Sequence, residues 1–246
     1  MKIMNKLRLL LILGGVITLG AVSQSCLDEN NEDVLLTRPT ALVTVRPQQD
    51  GKVTLQLDDK TTLYPSNMET SPYGKKEVRA LVNYRDEPTQ GDTRYVHVYW
   101  LDSIRTKVPV PDLGVDNDRK YGKDAIEIVR DWVTVAEDGY LTLRIRTLWG
   151  YPGAVHYVNL LRGVNPENPY EFELRHDARG DVYGTFGDAL IAFNLNDLPV
   201  QSRETIKIKL RWKSFSGMKS TEFDLCMREK NTEFFREIPS DFCRVE

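Results

Sequence analysis

Along most of the chain, apolar and polar residues alternate with a period of two, the spacing of strands that bury one face. Val53, Leu55 and Leu57 alternate with Thr54 and Gln56. Asp58-Asp59-Lys60 turns the chain, and Thr61 to Tyr64 returns as far as Pro65. Lys76 to Tyr84 places Val78, Ala80 and Val82 on one side. With Thr40 to Val45 and the long run Thr93 to Ile104, this predicts about five strands in roughly 70 residues. A small five-stranded barrel of the oligonucleotide/oligosaccharide-binding (OB) type fits that count. The pattern lapses in Val108 to Asp118, where prolines, a glycine and acids cluster, as at a domain boundary.

Strand spacing resumes with Ala125 to Val135. Asp138-Gly139 is a hairpin turn signal, and Tyr140 to Leu148 follows with Leu141, Leu143 and Ile145 on one face. Ala154 to Leu161, Tyr170 to His176, Ala189 to Asn194, Thr205 to Lys213 and Ser220 to Met227 complete seven predicted strands. Two sheets face to face would cover their apolar sides. The expected fold is therefore all-β: an OB-like barrel over 38–108, a linker over 109–123 and an immunoglobulin-like β-sandwich over 124–246. The sole helical candidate is a turn near Asn196-Asp197-Leu198.

The N-terminus follows a different rule. Lys2, Lys6 and Arg8 precede the apolar run Leu9 to Val22, then Ser23, Ser25 and Cys26. The run is about 14 residues long, whereas a bilayer span takes roughly 20. Charge, a short apolar run and small residues before a cut site describe an export signal over 1–25. Cys26 directly after the cut predicts lipidation, with acyl chains as the membrane anchor. In the tether over 26–37, the seven residues Leu27 to Asp33 include four acids, too polar to fold locally. These features place the protein at the outer membrane, lipid-anchored, with surface exposure as a further expectation.

Composition narrows the function. A net charge of −3, from 33 basic and 36 acidic residues, points away from nucleic acid. With Cys26 lipidated, Cys226 and Cys243 remain, an even pair for an oxidising compartment. Phe223, Leu225 and Met227 alternate as an apolar face, so Cys226 points outward with Glu222 and Asp224. A Cys226–Cys243 disulfide would close a loop of about 17 residues, a stabilisation of roughly 3 kcal/mol on chain entropy; two free thiols are the alternative.

Several segments, in order, resemble the NigD-like lipoproteins of Bacteroidetes. They are Cys26 with its acidic follow-on, Gly51-Lys52-Val53-Thr54-Leu55-Gln56-Leu57-Asp58-Asp59 leading to Thr62-Leu63-Tyr64-Pro65, and Glu77 to Tyr84. Val98 to Ile104, Asp131-Trp132-Val133, His156 to Leu160 and Leu174 to Asp181 continue the series. The resemblance implies an N-terminal OB domain and a C-terminal β-sandwich. It also implies an association with bacteriocin immunity, without catalytic residues or a mechanism.

The candidate chemistry is sparse. Of three histidines, His97, His156 and His176, none has metal-ligand spacing, and no metal or cofactor is expected. Tyr95, His97 and Tyr99 share one strand face, a stripe that could stack a sugar or base ring or serve as barrel wall. His176 precedes Asp177, but neighbouring strand residues point to opposite faces and no positioned nucleophile accompanies them. Lys207, Lys209, Arg211 and Lys213 form a basic stripe opposite Ile206, Ile208, Leu210 and Trp212. It suits an anionic glycan, or is a solvated surface answered by Glu171, Glu173 and Asp177. Asp116-Asn117-Asp118 lacks the glycine and glutamate offsets of a calcium loop. The expected function is a non-enzymatic envelope lipoprotein that binds a protein or glycan; bacteriocin immunity and an unrecognised hydrolase are the alternatives.

Overall fold

Five strands close into a barrel: β1 (Ala41–Pro47), β2 (Val53–Gln56), β3 (Thr62–Pro65), β4 (Val78–Asp86) and β5 (Arg94–Ser103), in the order β1-β2-β3-β5-β4. Only β3 and β5 run parallel. The computed structural model describes residues 38–88, 91–199 and 204–228. The export signal, Cys26, the whole acidic tether and Cys243 lie outside the described residues. The apolar phase read from the sequence is the one that turns inward. Val43, Val45, Leu55, Leu63, Ala80, Val82 and Val96 are fully enclosed, with Val53 and Val98 beside them. A bulge between Asn83 and Tyr84 adds the local twist that helps a short sheet close.

The remaining strands form a sandwich of two sheets. The first has the order β6 (Thr106–Lys107), β13 (Thr185–Asn194), β10 (Tyr140–Trp149), β8 (Glu127–Val129), with β9 (Val135–Glu137) also pairing with β10. The second runs β15 (Gly217–Cys226), β14 (Thr205–Ser214), β12 (Glu171–Asp177), β11 (Tyr157–Arg162), β7 (Val110–Pro111). Leu141, Leu143, Leu160, Phe172, Leu174, Phe193, Ile208, Leu210 and Leu225 fill the space between them. The Asp138-Gly139 turn forms as read, with both residues at positive φ.

Three expectations are corrected here. Residues 109–123 are not a linker, because β7 within them joins β11 in parallel, just as β6 immediately before them joins β13. The Lys107 ammonium ties the two sheets by donating to the Val158 carbonyl (2.8 Å) and Asn159 Oδ1 (2.6 Å). Helix α1 (Asn117–Tyr121) lies in this same segment, while 196–198 is only a turn. Asn117 accepts from Leu113 N (2.9 Å) and donates to Asp112 (2.5 Å), so the Asp116-Asn117-Asp118 run closes a local turn. Finally, Ala125 to Val135 is not one strand. After Val129 the Asp131 carboxylate accepts from Val133 N (3.2 Å), turning the chain before β9.

From Pro39 onward the barrel and sandwich form one unit. Leu42 and Leu81 on the outside of the barrel pack with Ile104, Val135, Leu190 and Ala192. Beside this apolar contact sits a polar one. Arg79 on β4, with no exposed surface, donates to Thr44 Oγ1 (2.9 Å), Thr142 Oγ1 (3.4 Å) and Glu137 Oε1 (2.7 Å). Arg46 and Arg228 pair with Asp138, Arg228 pairs with Glu77 (2.8 Å), and the Tyr140 hydroxyl donates to Glu77 (2.6 Å). Burial pushes the Glu137 and Asp138 carboxyls up, against the pull of these guanidinium groups.

Candidate functional site

The outer surface of the barrel is divided. Its β1–β4 side meets the sandwich, whereas its β3–β5 side is open. Val96 and Val98 of β5 point inward, so the residues between them must point outward. Tyr95 and Tyr99 are exposed and His97 is half-buried. The parallel register sets Tyr64 of β3 beside Tyr95, with ring centroids 6.1 Å apart. His97 and Tyr99 meet edge to face at 5.2 Å. The stripe read as three rings is therefore four, Tyr64-Tyr95-His97-Tyr99. Tyr64 was missed because strand spacing assigns a face but not a neighbouring strand.

The surroundings hold this ladder in place. Asn67, just after β3, accepts from Val98 N (2.9 Å) and donates to Val98 O (2.8 Å). Arg94 forms a fork with Asp86 (2.7 and 3.0 Å) at one end. Glu87 lies 3.9 Å from the His97 ring. Four aromatic faces on rigid strands, with a carboxylate alongside, can stack pyranose rings and accept a sugar hydroxyl.

The basic stripe is answered within the fold. Because β12 and β14 run in register, Lys209 stands opposite Glu171 and Arg211 opposite Glu173. The ion pairs measure 3.5 Å for Lys209–Glu171 and 2.6 Å for Arg211–Glu173, and Lys207 reaches Asp224 at 2.9 Å. Lys207, Lys209 and Arg211 thus stand in a cross-strand charge ladder. Asp177 plays no part in it; its carboxylate accepts from Arg179 N (2.8 Å). Cys226 is half-buried on β15, between the buried Leu225 and Met227.

One cluster had no signal in the sequence. His156 Nδ1 lies 2.9 Å from His176 Nε2, and His156 Nε2 lies 3.1 Å from Asp181. His176 Nδ1 faces the Ala125 carbonyl at 3.1 Å. Trp149 stacks on His156, with centroids 4.1 Å apart. Gly184, at φ +115°, permits the close approach; a Cβ there would strike the Trp149 carbonyl. Both histidine side chains are almost fully enclosed. Adjacent His176 and Asp177 do not meet, as their opposite faces require. Among the described residues no group of three or more His, Cys, Asp or Glu is placed to hold a metal ion.

Comparison with known proteins matches both halves of the chain. The family described as NigD-like N-terminal OB domain matches residues 42–104, and that described as NigD-like C-terminal β-sandwich domain matches 108–225. A solved protein from Parabacteroides distasonis, named as a candidate toxin-related protein, is 32% identical with a TM-score of 0.64, covering 76% of this chain and 92% of its own. A NigD-like immunity protein from Bacteroides caccae shares the fold at 22% identity and a TM-score of 0.54, over 74% of this chain and 90% of that one. A protein from Bacteroides fragilis, named as a candidate lipoprotein, does so at 13% identity and a TM-score of 0.52, over 77% and 97%. No curated protein matches the chain.

Proposed function

Since the chain belongs to the NigD-like family of two-domain β proteins, we propose that it is a non-catalytic binding module of the cell envelope. It is held at the outer membrane through lipids on Cys26 and takes a glycan on the barrel. The observation that carries this reading is the open ladder Tyr64-Tyr95-His97-Tyr99, whose tyrosines are each 36–44% exposed. Three of the four cations of the basic stripe, by contrast, already have counter-ions. Exposed rings on neighbouring strands offer stacking area at small conformational cost. The export signal in the sequence, and the candidate-lipoprotein name of the Bacteroides fragilis protein, support the location.

A glycan array probed with the full-length protein in detergent tests the reading. Retention of at least one glycan class is expected. Tyr95→Ala with Tyr99→Ala should weaken that retention about 10-fold or more, at roughly 1–3 kcal/mol per stacked ring. Equal retention by the double variant removes the ladder as the site, and an array with no retained class removes the glycan.

A second reading is favoured by the immunity protein from Bacteroides caccae and the toxin-related protein from Parabacteroides distasonis. In it the bound molecule is a bacteriocin. Deleting the gene and challenging the cells with bacteriocins of related bacteria should then raise sensitivity; unchanged sensitivity excludes immunity.

A further inference from the structure

We infer that His156 and His176 together hold one proton more than two neutral rings carry, forming a buried charged latch that joins three loops of the sandwich and weakens as the pH moves to either side. The argument is a count of hydrogens. The Ala125 carbonyl can only accept, so His176 Nδ1 must carry a hydrogen. Asp181 accepts Gly150 N–H on both carboxylate oxygens (3.0 and 3.1 Å) and faces His156 Nε2. An ionised Asp181 can only accept, so His156 Nε2 also carries a hydrogen. The His156–His176 contact at 2.9 Å needs one more. Three hydrogens on four ring nitrogens leave one imidazolium and one neutral ring.

The surroundings agree with this count. The Gly150 N–H, and then His156, hold the Asp181 carboxyl below its ordinary range. Of the two rings it is His156 that faces the Asp181 carboxylate (3.1 Å) and lies under the Trp149 face, the place for a cation, while burial pushes His176 down. Asp124 and Asp177 are the other acids facing His176. Lys123, Arg175 and Lys213 line a cavity together with His176; there Lys213 donates to the Lys123 carbonyl (2.9 Å) and Arg175 pairs with Asp118 (2.8 Å). The latch ties the segment before β8 to the β10–β11 and β12–β13 loops, which carry the exposed Tyr151 and Tyr183.

The linkage has a definite shape. Two unfolded histidines near pKa 6.5 hold one proton between them at about pH 6.5, the same number as the latch. Above that pH the folded state binds more protons than the unfolded state, so stability falls as pH rises. Below it the unfolded pair takes up a second proton, and stability falls as pH drops. Each limb approaches a tenfold change in the folding constant per pH unit.

Ring-nitrogen NMR on the 15N-histidine-labelled full chain at pH 6.5 decides the count, with only three histidines to assign. Three protonated nitrogens and a bare His176 Nε2 are expected; two bare nitrogens in the pair overturn the inference. Asp181→Asn supplies an amide donor, so His156 Nε2 becomes an acceptor and both rings revert to neutral. The stability difference between wild type and this variant should peak near pH 6.5; a flat difference counts against the latch. Should the variant not fold, the wild-type ring pattern alone settles the matter.

Discussion

Arg79→Ala should cost about 3–5 kcal/mol of folding stability, the range found when one partner of a buried ion pair is removed. The guanidinium is wholly enclosed and serves three acceptors from both domains: Thr44 in the barrel, and Thr142 and Glu137 in the sandwich. Alanine leaves all three without a donor and leaves Glu137 as an uncompensated charge. That charge makes the deficit depend on pH. Burial already raises the Glu137 carboxyl, and losing Arg79 raises it further. A carboxyl whose folded pKa exceeds its unfolded value costs stability above the unfolded pKa, so the deficit is full at pH 7. It narrows as the pH falls toward the carboxylate range, where Glu137 is neutralised on folding. Urea denaturation of wild type and variant at pH 7 and pH 5 reads both effects. A cost under about 1 kcal/mol, or a deficit that widens on acidification, would show that Arg79 does not join the domains. Pairing Arg79→Met with Glu137→Leu should recover much of the loss, since an apolar pair of similar volume needs no counter-ion.

Truncation of Phe193 to alanine should be of similar size, about 3–5 kcal/mol, for an unrelated reason. Phe193 lies on β13 opposite Leu141, with no exposed surface, in the cluster between the two sheets. Removing the ring forfeits its burial and leaves a cavity that rigid strands on either side fill only in part. This variant should show no pH dependence of its own between pH 5 and pH 7. Comparing it with Arg79→Ala separates packing from charge. A loss below about 1.5 kcal/mol would mean that the sheets close over the gap.

These two residues also differ in how much of their role could be read beforehand. The run Ala189 to Asn194 was recognisable as a strand, and an apolar ring in it belongs to a core. Arg79 sits in an equally recognisable strand, between Val78 and Ala80, but spacing alone assigns it to the solvated face. It is buried because a second domain covers that face of the barrel. The same covering explains why the first half of β10 is buried on both sides, with Tyr140 and Thr142 turned toward the barrel and Leu141 and Leu143 toward the sandwich core.

The segment 109–123 shows a related limit. Prolines, a glycine and acids in close order look like a connector, and its one strand, β7, is too short to produce a periodic signal. Two residues in β7 are enough to extend one sheet, as two in β6 just before the segment extend the other, because strands β11 and β13 are already in place. The basic stripe was legible as a stripe, and two of its three expected acids answer it. The third, Asp177, lies beyond the last register pair of β12 with β14.

The sequence by itself determined the longer strands, the turn at Asp138-Gly139, the division into a barrel and a sandwich, and the side of those strands that goes inward. A period of two in hydrophobicity carries that much, because burial of one face is a local demand on each segment. Only the tertiary structure decided which faces meet. Tyr64 stands beside Tyr95 through a parallel pairing, and His156 touches His176 and Asp181 through the packing of loops from three places in the chain. Arg79 finds Glu137 across a domain interface. Such neighbours depend on register and on the docking of separate units, and nothing in the alternation along one strand encodes either.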